Sequence, residues 1–168
     1  MARTTALVKL SGDLISRPDV LAWLRELAKD HFVVVISGGG AQINAEFEAR
    51  GFGRNYGPLG RETRSFEERQ LARDILEMNQ RDMQDLLARE KIPAIVLIPV
   101  LDLGSVLCHV NGDVFVLTAY LGFSRLFILT FNDRVEQKSV QFRRLWVAFG
   151  GAEIPPKIEI VGFPERPS

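Results

Sequence analysis

The sequence predicts an α/β fold of three layers, α/β/α, in which helices cover both faces of a mainly parallel sheet. Two observations lead to this prediction. Residues 32–36 form a continuous run without alternation, which is typical of a parallel strand buried on both faces, and residues 6–10 form a second short apolar run typical of a buried strand. Turns that contain glycine follow both runs and lead into segments whose apolar residues recur at helical spacing.

The elements can be assigned in chain order. A helix is expected to begin after Ser16, which is a suitable N-cap, and to end near Asp30. Further helices are predicted at residues 41–50, 62–91 and 111–120. Strands are predicted at residues 94–98, 106–110 and 126–130, and residues 140–149 and 157–163 also resemble strands. Residues 51–60 carry four glycines and a proline, which predicts a loop.

Composition limits the function classes. The chain of 168 residues has 46% apolar and 25% charged residues, which is typical of a single globular domain. Lys plus Arg and Asp plus Glu each number 21, so no excess charge favours nucleic acid or a membrane surface as a partner. The single cysteine, Cys108, cannot form an internal disulfide, and no export signal or membrane span is visible. We therefore expect a cytoplasmic protein.

Glycine-rich turns follow the first two predicted strands. Ser11 and Gly12 end the first strand, and Gly38, Gly39 and Gly40 end the second. Ligands of open parallel sheets bind at the carboxyl ends of the strands, where glycine lets backbone N–H groups approach a phosphate. The two loops therefore predict a shared cradle for a small anionic molecule, although glycines at such positions also serve simply as tight turns. Neither a P-loop nor a complete dinucleotide-binding glycine motif is present.

Three segments resemble the amino acid kinase family. Lys9-Leu10-Ser11-Gly12 followed by Asp13 is similar to the opening of uridylate kinases. Residues 34–44, Val-Val-Ile-Ser-Gly-Gly-Gly-Ala-Gln-Ile-Asn, resemble acetylglutamate kinases. Asn111-Gly112-Asp113, then Leu121-Gly122 and the strand at 126–130, follow in the order and spacing of the family. The resemblance covers roughly residues 1–130 and implies a carbamate kinase-like fold.

The resemblance implies transfer of phosphate from ATP, with Mg, to a small carboxylate, carbamate, phosphate or nucleoside monophosphate. Lys9 would neutralise charge on the transferring group, and Asp113 would orient that lysine. Lys9 is alternatively a strand-end lysine that extends to solvent, and Asp113 is alternatively a residue that favours a helix N-terminus. No residue is assigned as a metal ligand.

The resemblance also implies the residues that bind the acceptor. Arg61 and Arg64 follow the glycine-rich loop where the family contacts substrate, and arginine suits carboxylate or phosphate recognition. A solvated helix start would explain both arginines equally well. His109 and Asn111 lie where acetylglutamate kinases contact the substrate's carboxylate. Those kinases have an asparagine at the position that His109 occupies in this chain. A packed structural histidine is the alternative for His109.

The carboxyl half departs from the family. Residues 1–130 correspond to the substrate-binding half, whereas residues 131–168 form a much reduced tail where the family places its nucleotide site and a second catalytic lysine. Lys138 or Lys157 would have to supply that charge. Two hypotheses follow, a compact kinase and a non-catalytic anion-binding or regulatory protein.

The helix predicted at residues 62–91 is also the expected site of self-association. At 1.5 Å per residue, about 25 residues extend about 38 Å, which is longer than one sheet requires. Phe66, Met78 and Met83 lie around more than one stripe of this helix, and such residues are enriched in interface cores. We expect a homodimer or higher homo-oligomer.

Overall fold

The computed structural model describes residues 3–11, 14–57, 60–103, 106–109 and 111–165, and for residues 60, 101–103 and 106–109 it describes the backbone alone. The strands are β1 (Thr4–Leu10), β2 (His31–Ile36), β3 (Asn55–Gly57), β4 (Gly60–Glu62), β5 (Ala94–Leu97), β6 (Val100–Leu103), β7 (Val106–His109), β8 (Arg125–Phe131) and β9 (Ile158–Phe163). The helices are α1 (Pro18–Asp30), α2 (Gly40–Ala49), α3 (Phe66–Arg89), α4 (Gly112–Thr118) and α5 (Val135–Ala148), with 3₁₀ turns at Tyr120–Gly122 and Asn132–Arg134.

A five-stranded sheet forms the centre of the domain, with strand order β5-β2-β1-β8-β9. All four neighbouring pairs are parallel, and the register places Lys9 beside Ile36 on one side and Ile128 on the other. The predicted mainly parallel α/β sheet is confirmed. Because parallel strands all point the same way, the ends of β1, β2 and β8 meet at one edge of the sheet.

Helices cover both faces of this sheet. On one face, α1 and α3 bury a cluster that includes Leu24, Met83 and Leu87 against the strands. On the other face, α4 and α5 pack Val116, Leu117 and Phe142 against the strands. A third cluster joins α2 to α3. The three-layer arrangement follows from the need of each apolar strand face to be covered by a helix.

Two local predictions about helices were wrong. The N-cap of α1 is Arg17 rather than Ser16; its side chain does not cap the helix and instead forms a bidentate pair with Asp19. Residues 140–148 belong to α5 rather than to a strand, and Phe149 is the C-cap of that helix. The residues three and four positions after Phe142, namely Leu145 and Trp146, pack with it against the sheet, whereas the β-branched Val140 is exposed. The apolar residues of this segment therefore follow the spacing of a helix.

The loop predicted at residues 51–60 contains a short hairpin in which Tyr56 of β3 pairs with Arg61 of β4. Strands this short and rich in glycine carry no hydrophobic pattern, so the sequence does not reveal them. β5 is an edge strand and is not buried on both faces, because Ile95 is 55% exposed. β7 pairs with the unpredicted strand β6 outside the main sheet.

The long helix α3 begins at a variant of the capping box, in which the return bond goes to the residue before the N-cap. Ser65 accepts a hydrogen bond from the backbone N–H of Glu68 at 3.1 Å, and the Glu68 carboxylate accepts one from the N–H of Arg64. Met83 is buried in the domain core, whereas Phe66 is 76% and Met78 45% exposed. In the part of the chain that the structure describes, no helix combines the length and apolarity needed to cross a membrane.

Candidate functional site

A cavity of about 310 Å³ opens at the carboxyl ends of β1 and β2. It is lined by the ends of these strands, the N-termini of α2 and α4, one side chain of α5 and the β3–β4 hairpin. Its polar lining consists of Lys9, Ser11, Gly38, Gly39, Gly40, Tyr56, Arg61, Asn111, Gly112, Asp113 and Lys138. Leu10, Ile36, Ile43, Leu76 and Pro99 supply apolar walls.

Two lysines share one buried carboxylate at this cavity. Asp113 is 1% exposed. Its Oδ2 accepts a hydrogen bond of 2.8 Å from Lys138 Nζ, and its Oδ1 lies 3.5 Å from Lys9 Nζ. Lys138 also donates to Gln141 one turn along α5. The cluster carries two positive charges and one negative charge, so it leaves a net positive charge beside the cavity.

Burial and mutual charge shift the pKa values of this cluster. Burial raises the pKa of Asp113, but the charges of Lys9 and Lys138 outweigh burial and hold that pKa below its usual value. Burial lowers the pKa of Lys9, and the neighbouring charge of Lys138 lowers it further, while Asp113 opposes both effects. A bound anion would favour the protonated form of Lys9.

Lys9 is held in place by its neighbours. A Cβ atom added at Gly112 would lie 3.3 Å from Cε and 3.4 Å from Cγ of Lys9, so the glycine makes room for the lysine stem. Next to it, Asn111 caps α4 by accepting a hydrogen bond of 2.8 Å from the N–H of Asp113. The segment Asn111-Gly112-Asp113 therefore packs the lysine and places its carboxylate partner.

The second glycine loop lies at the N-terminus of α2. Gly39 is the N-cap of this helix, no side chain in the described part of the protein caps it, and its first turn holds no acidic residue. Free N–H groups at a helix N-terminus, together with the helix dipole, favour an anion. Gly38, Gly39 and Gly40 all line the cavity, on the same side of the molecule as Ser11. Ser11 itself donates to the carbonyl of Leu129 at 3.3 Å.

Arg61 forms the opposite, aromatic side of the cavity. Its guanidinium carbon lies 5.0 Å from the ring centres of both Phe47 and Tyr56. Nη2 donates to the Tyr56 hydroxyl at 2.9 Å and to the side-chain oxygen of Asn44, whereas Nη1 is buried and has no hydrogen-bond partner among the described residues. An unpaired buried N–H costs free energy that an anionic ligand group would recover.

Other predicted residues lie elsewhere. Arg64 is not part of the cavity lining and donates to Asn55 at 3.1 Å, so the substrate contact expected of it is not supported by its position. His109 lies in β7, where the structure describes the backbone alone, and Gly12 falls outside the described ranges. Lys157 donates to the carbonyl oxygens of Tyr120 and Phe123, away from the cavity.

Sequence reasoning left Lys138 as one of two candidates and did not find Tyr56. Lys138 lies in the first turn of α5, which begins just after the end of β8. Side chains of a helix lean toward its N-terminus, so a correct prediction of α5 as a helix would have placed Lys138 near this edge of the sheet. Tyr56 carries no local signal, because it reaches the cavity through the β3–β4 hairpin.

Comparison with known proteins characterises the fold. No protein-family model and no curated protein sequence matches the chain. Protein smu.665 of Streptococcus mutans UA159 is similar in structure, with a TM-score of 0.63 and 14% identity over 75% of this chain and 72% of that one. N-acetylglutamate synthase of Neisseria gonorrhoeae, solved with coenzyme A and N-acetyl-glutamate, has a TM-score of 0.55 and 13% identity over 95% of this chain.

This chain spans 54% of the length of the Neisseria synthase. Identities this low define a shared fold and carry no activity from one protein to the other. The fold and the comparisons thus define a three-layer α/β domain with a parallel sheet.

Proposed function

We propose that this chain binds a phosphorylated small molecule in the cavity and transfers phosphate from ATP to a small carboxylate, phosphate or nucleoside monophosphate acceptor. The observation that carries the proposal is the cluster of Lys9, Asp113 and Lys138 beside the glycine loop of α2. It places two ammonium groups and uncapped backbone N–H groups around one cavity. The resemblance to the amino acid kinase family supports the same activity.

The chemistry of phosphoryl transfer matches these groups. Negative charge spreads over the equatorial oxygens of the transferring group, and catalysis consists mainly of positioning and charge stabilisation. Lys9 and Lys138 would stabilise that charge. Asp113 is a poor proton acceptor because its pKa is held below the usual value, so its role would be to fix the two ammonium groups. Arg61, with its unpaired Nη1, would bind an anionic group of the acceptor.

The residues do not fit a magnesium ion held by protein side chains. Within the described ranges, no three His, Cys, Asp or Glu side chains are grouped so that they would hold a metal. Asp113, the carboxylate of the cavity, is already paired with two lysines. No step of the proposed reaction is therefore assigned to magnesium.

This misfit favours a second candidate function, a protein that binds a small anion without transferring phosphate. The same cations and N–H groups would serve binding alone. The two candidates differ in one observable, since both bind phosphate and only the kinase turns ATP over.

The test combines binding and turnover. Calorimetric titration with ATP and with inorganic phosphate measures binding, and labelled ATP with a panel of small carboxylates and nucleoside monophosphates measures transfer. We expect Lys9→Met and Lys138→Met each to lower turnover by about 100-fold or more, as for other transition-state charge stabilisers. Lys29→Met is the matched control, because Lys29 is exposed and pairs only with Glu26 among the described residues.

Binding of ATP or phosphate without transfer to any acceptor would select the second candidate. Absence of binding at millimolar ligand would contradict both. Equal losses in Lys29→Met and Lys9→Met would show that charge on the surface, rather than the cluster, is responsible.

A further inference from the structure

Asn79 lies in the middle of α3, 41 residues along the chain from Gly38, yet it contacts the glycine loop directly. Its Nδ2 donates a hydrogen bond of 3.0 Å to the carbonyl oxygen of Gly38, and the residue is buried. A Cβ atom at Gly39 would lie 3.0 Å from the same nitrogen and 3.2 Å from Cδ2 of Leu76. One polar and one apolar side chain of α3 therefore press against the loop backbone.

The loop is attached at few other points. At its start, the N–H of Ser37 donates to the carbonyl of Leu97 at 2.9 Å. Across the described part of the chain, side chains bond the loop backbone at two places, Asn79 at Gly38 and Arg61 at Gly40, the second at 3.4 Å. Arg61 lines the cavity, whereas Asn79 does not. Asn79 can therefore affect a ligand only through the loop.

We propose that Asn79 is a positioning residue, which fixes Gly38–Gly40 so that the N–H groups at the start of α2 are preorganised for the bound anion. This inference rests on the proposed function of the cavity. Consecutive glycines have the largest backbone freedom of any sequence, and ordering them on binding would weaken affinity. A buried hydrogen bond at the first glycine orders the loop before the ligand arrives.

Gln80, the next residue of α3, provides a matched control. Its Nε2 donates to the carbonyl of Val96 at 2.7 Å, which ties α3 to β5 away from the cavity. Gln80→Leu thus removes the same kind of amide-to-carbonyl bond from the same helix. Asn79→Leu removes the bond to the loop but also enlarges the side chain, so Asn79→Asp, which keeps the shape and replaces the donor by an acceptor, is needed as the second variant.

The experiment measures inorganic phosphate binding by calorimetry and amide exchange by NMR in the wild type and the three variants. We expect Asn79→Leu and Asn79→Asp to weaken phosphate binding by about tenfold, the equivalent of one good hydrogen bond. Gln80→Leu should bind phosphate within about twofold of the wild type, since it leaves the loop untouched. The amides of Gly39 and Gly40 should exchange faster in the Asn79 variants alone.

Phosphate affinity that falls equally in the Asn79 and Gln80 variants would overturn the inference, because general loosening of α3 would then explain it. Absence of phosphate binding in the wild type would contradict the proposed function instead. In that case the exchange rates still test the positioning of the loop, and unchanged exchange of Gly39 and Gly40 in both Asn79 variants would overturn it.

Discussion

Replacing Asp113 by Asn should strongly destabilise the domain, because it leaves two partly buried ammonium groups without their shared, fully buried counter-charge. At an effective dielectric constant of about 20, the carboxylate attracts Lys9 at 3.5 Å by about 5 kcal/mol and Lys138 at 2.8 Å by about 6 kcal/mol. Most of this attraction offsets the cost of taking three charges out of water. The expected net loss is about 3 kcal/mol, as for buried pairs that lose one partner.

Urea denaturation at neutral pH measures this loss as a lower midpoint with an unchanged slope. Asp133→Asn is the control, since that half-exposed carboxylate lies 3.8 Å from Arg134 and should change stability by less than about 0.5 kcal/mol. The pKa of Asp113 is lowered in the folded state, so its contribution is present above the unfolded pKa and is lost as pH falls toward the folded pKa. The difference between wild type and Asp113→Asn should therefore shrink in acid.

A second substitution tests the electrostatic cause. Adding Lys9→Met to Asp113→Asn removes one of the two opposing ammonium groups, so the double variant should recover part of the lost stability. Asp113→Asn within about 0.5 kcal/mol of the wild type, or strict additivity in the double variant, would refute the reasoning.

The remaining predictions concern the loop, pH and assembly. Gly39→Ala should destabilise the fold by about 1–3 kcal/mol in urea denaturation, because its Cβ would press on α3. Gly40→Ala, whose Cβ meets nothing within 4 Å, should be nearly neutral, and equal losses would contradict the packing argument. Phosphate affinity should fall as pH rises through the lowered pKa of Lys9, whereas Lys9→Arg should retain its affinity to higher pH because arginine stays charged. Identical pH profiles of the two proteins in calorimetry would contradict a role of the Lys9 charge in phosphate binding. We expect self-association through the exposed Phe66 and Met78 of α3, and light scattering that shows monomers both in wild type and in Phe66→Glu would contradict this expectation.

The sequence predicted the parts of the site that follow a strand directly. Buried apolar runs identify strands β1 and β2, and the residues after each run are thereby assigned to the edge of a parallel sheet. Ser11, Gly12 and Gly38–Gly40 were assigned to one cavity in this way. Lys9 and Asp113 were added because of the family resemblance, and all of these residues that the structure describes line the same cavity.

The predictions that were wrong concern features that depend on contacts between segments distant in the chain. Residues 140–149 were predicted as a strand from their composition, whereas packing of Phe142 on the sheet selects a helix. Arg61 and Arg64 both follow the glycine-rich loop and were predicted together. Of the two, Arg61 lines the cavity, because Tyr56 and Phe47 hold its guanidinium there.

The sequence by itself therefore determined that the sheet is mainly parallel, the succession β1, α1, β2 and α2, and the glycine turns, because these depend on periodicity and on the backbone freedom of neighbouring residues. Tertiary structure alone decided that Lys138 joins Lys9 at Asp113 and that Asn79 holds Gly38. The first contact joins residues 25 positions apart and the second joins residues 41 positions apart. No local sequence pattern specifies which buried polar groups will be paired. That choice is made by the packing of α3 and α5 against opposite faces of the sheet.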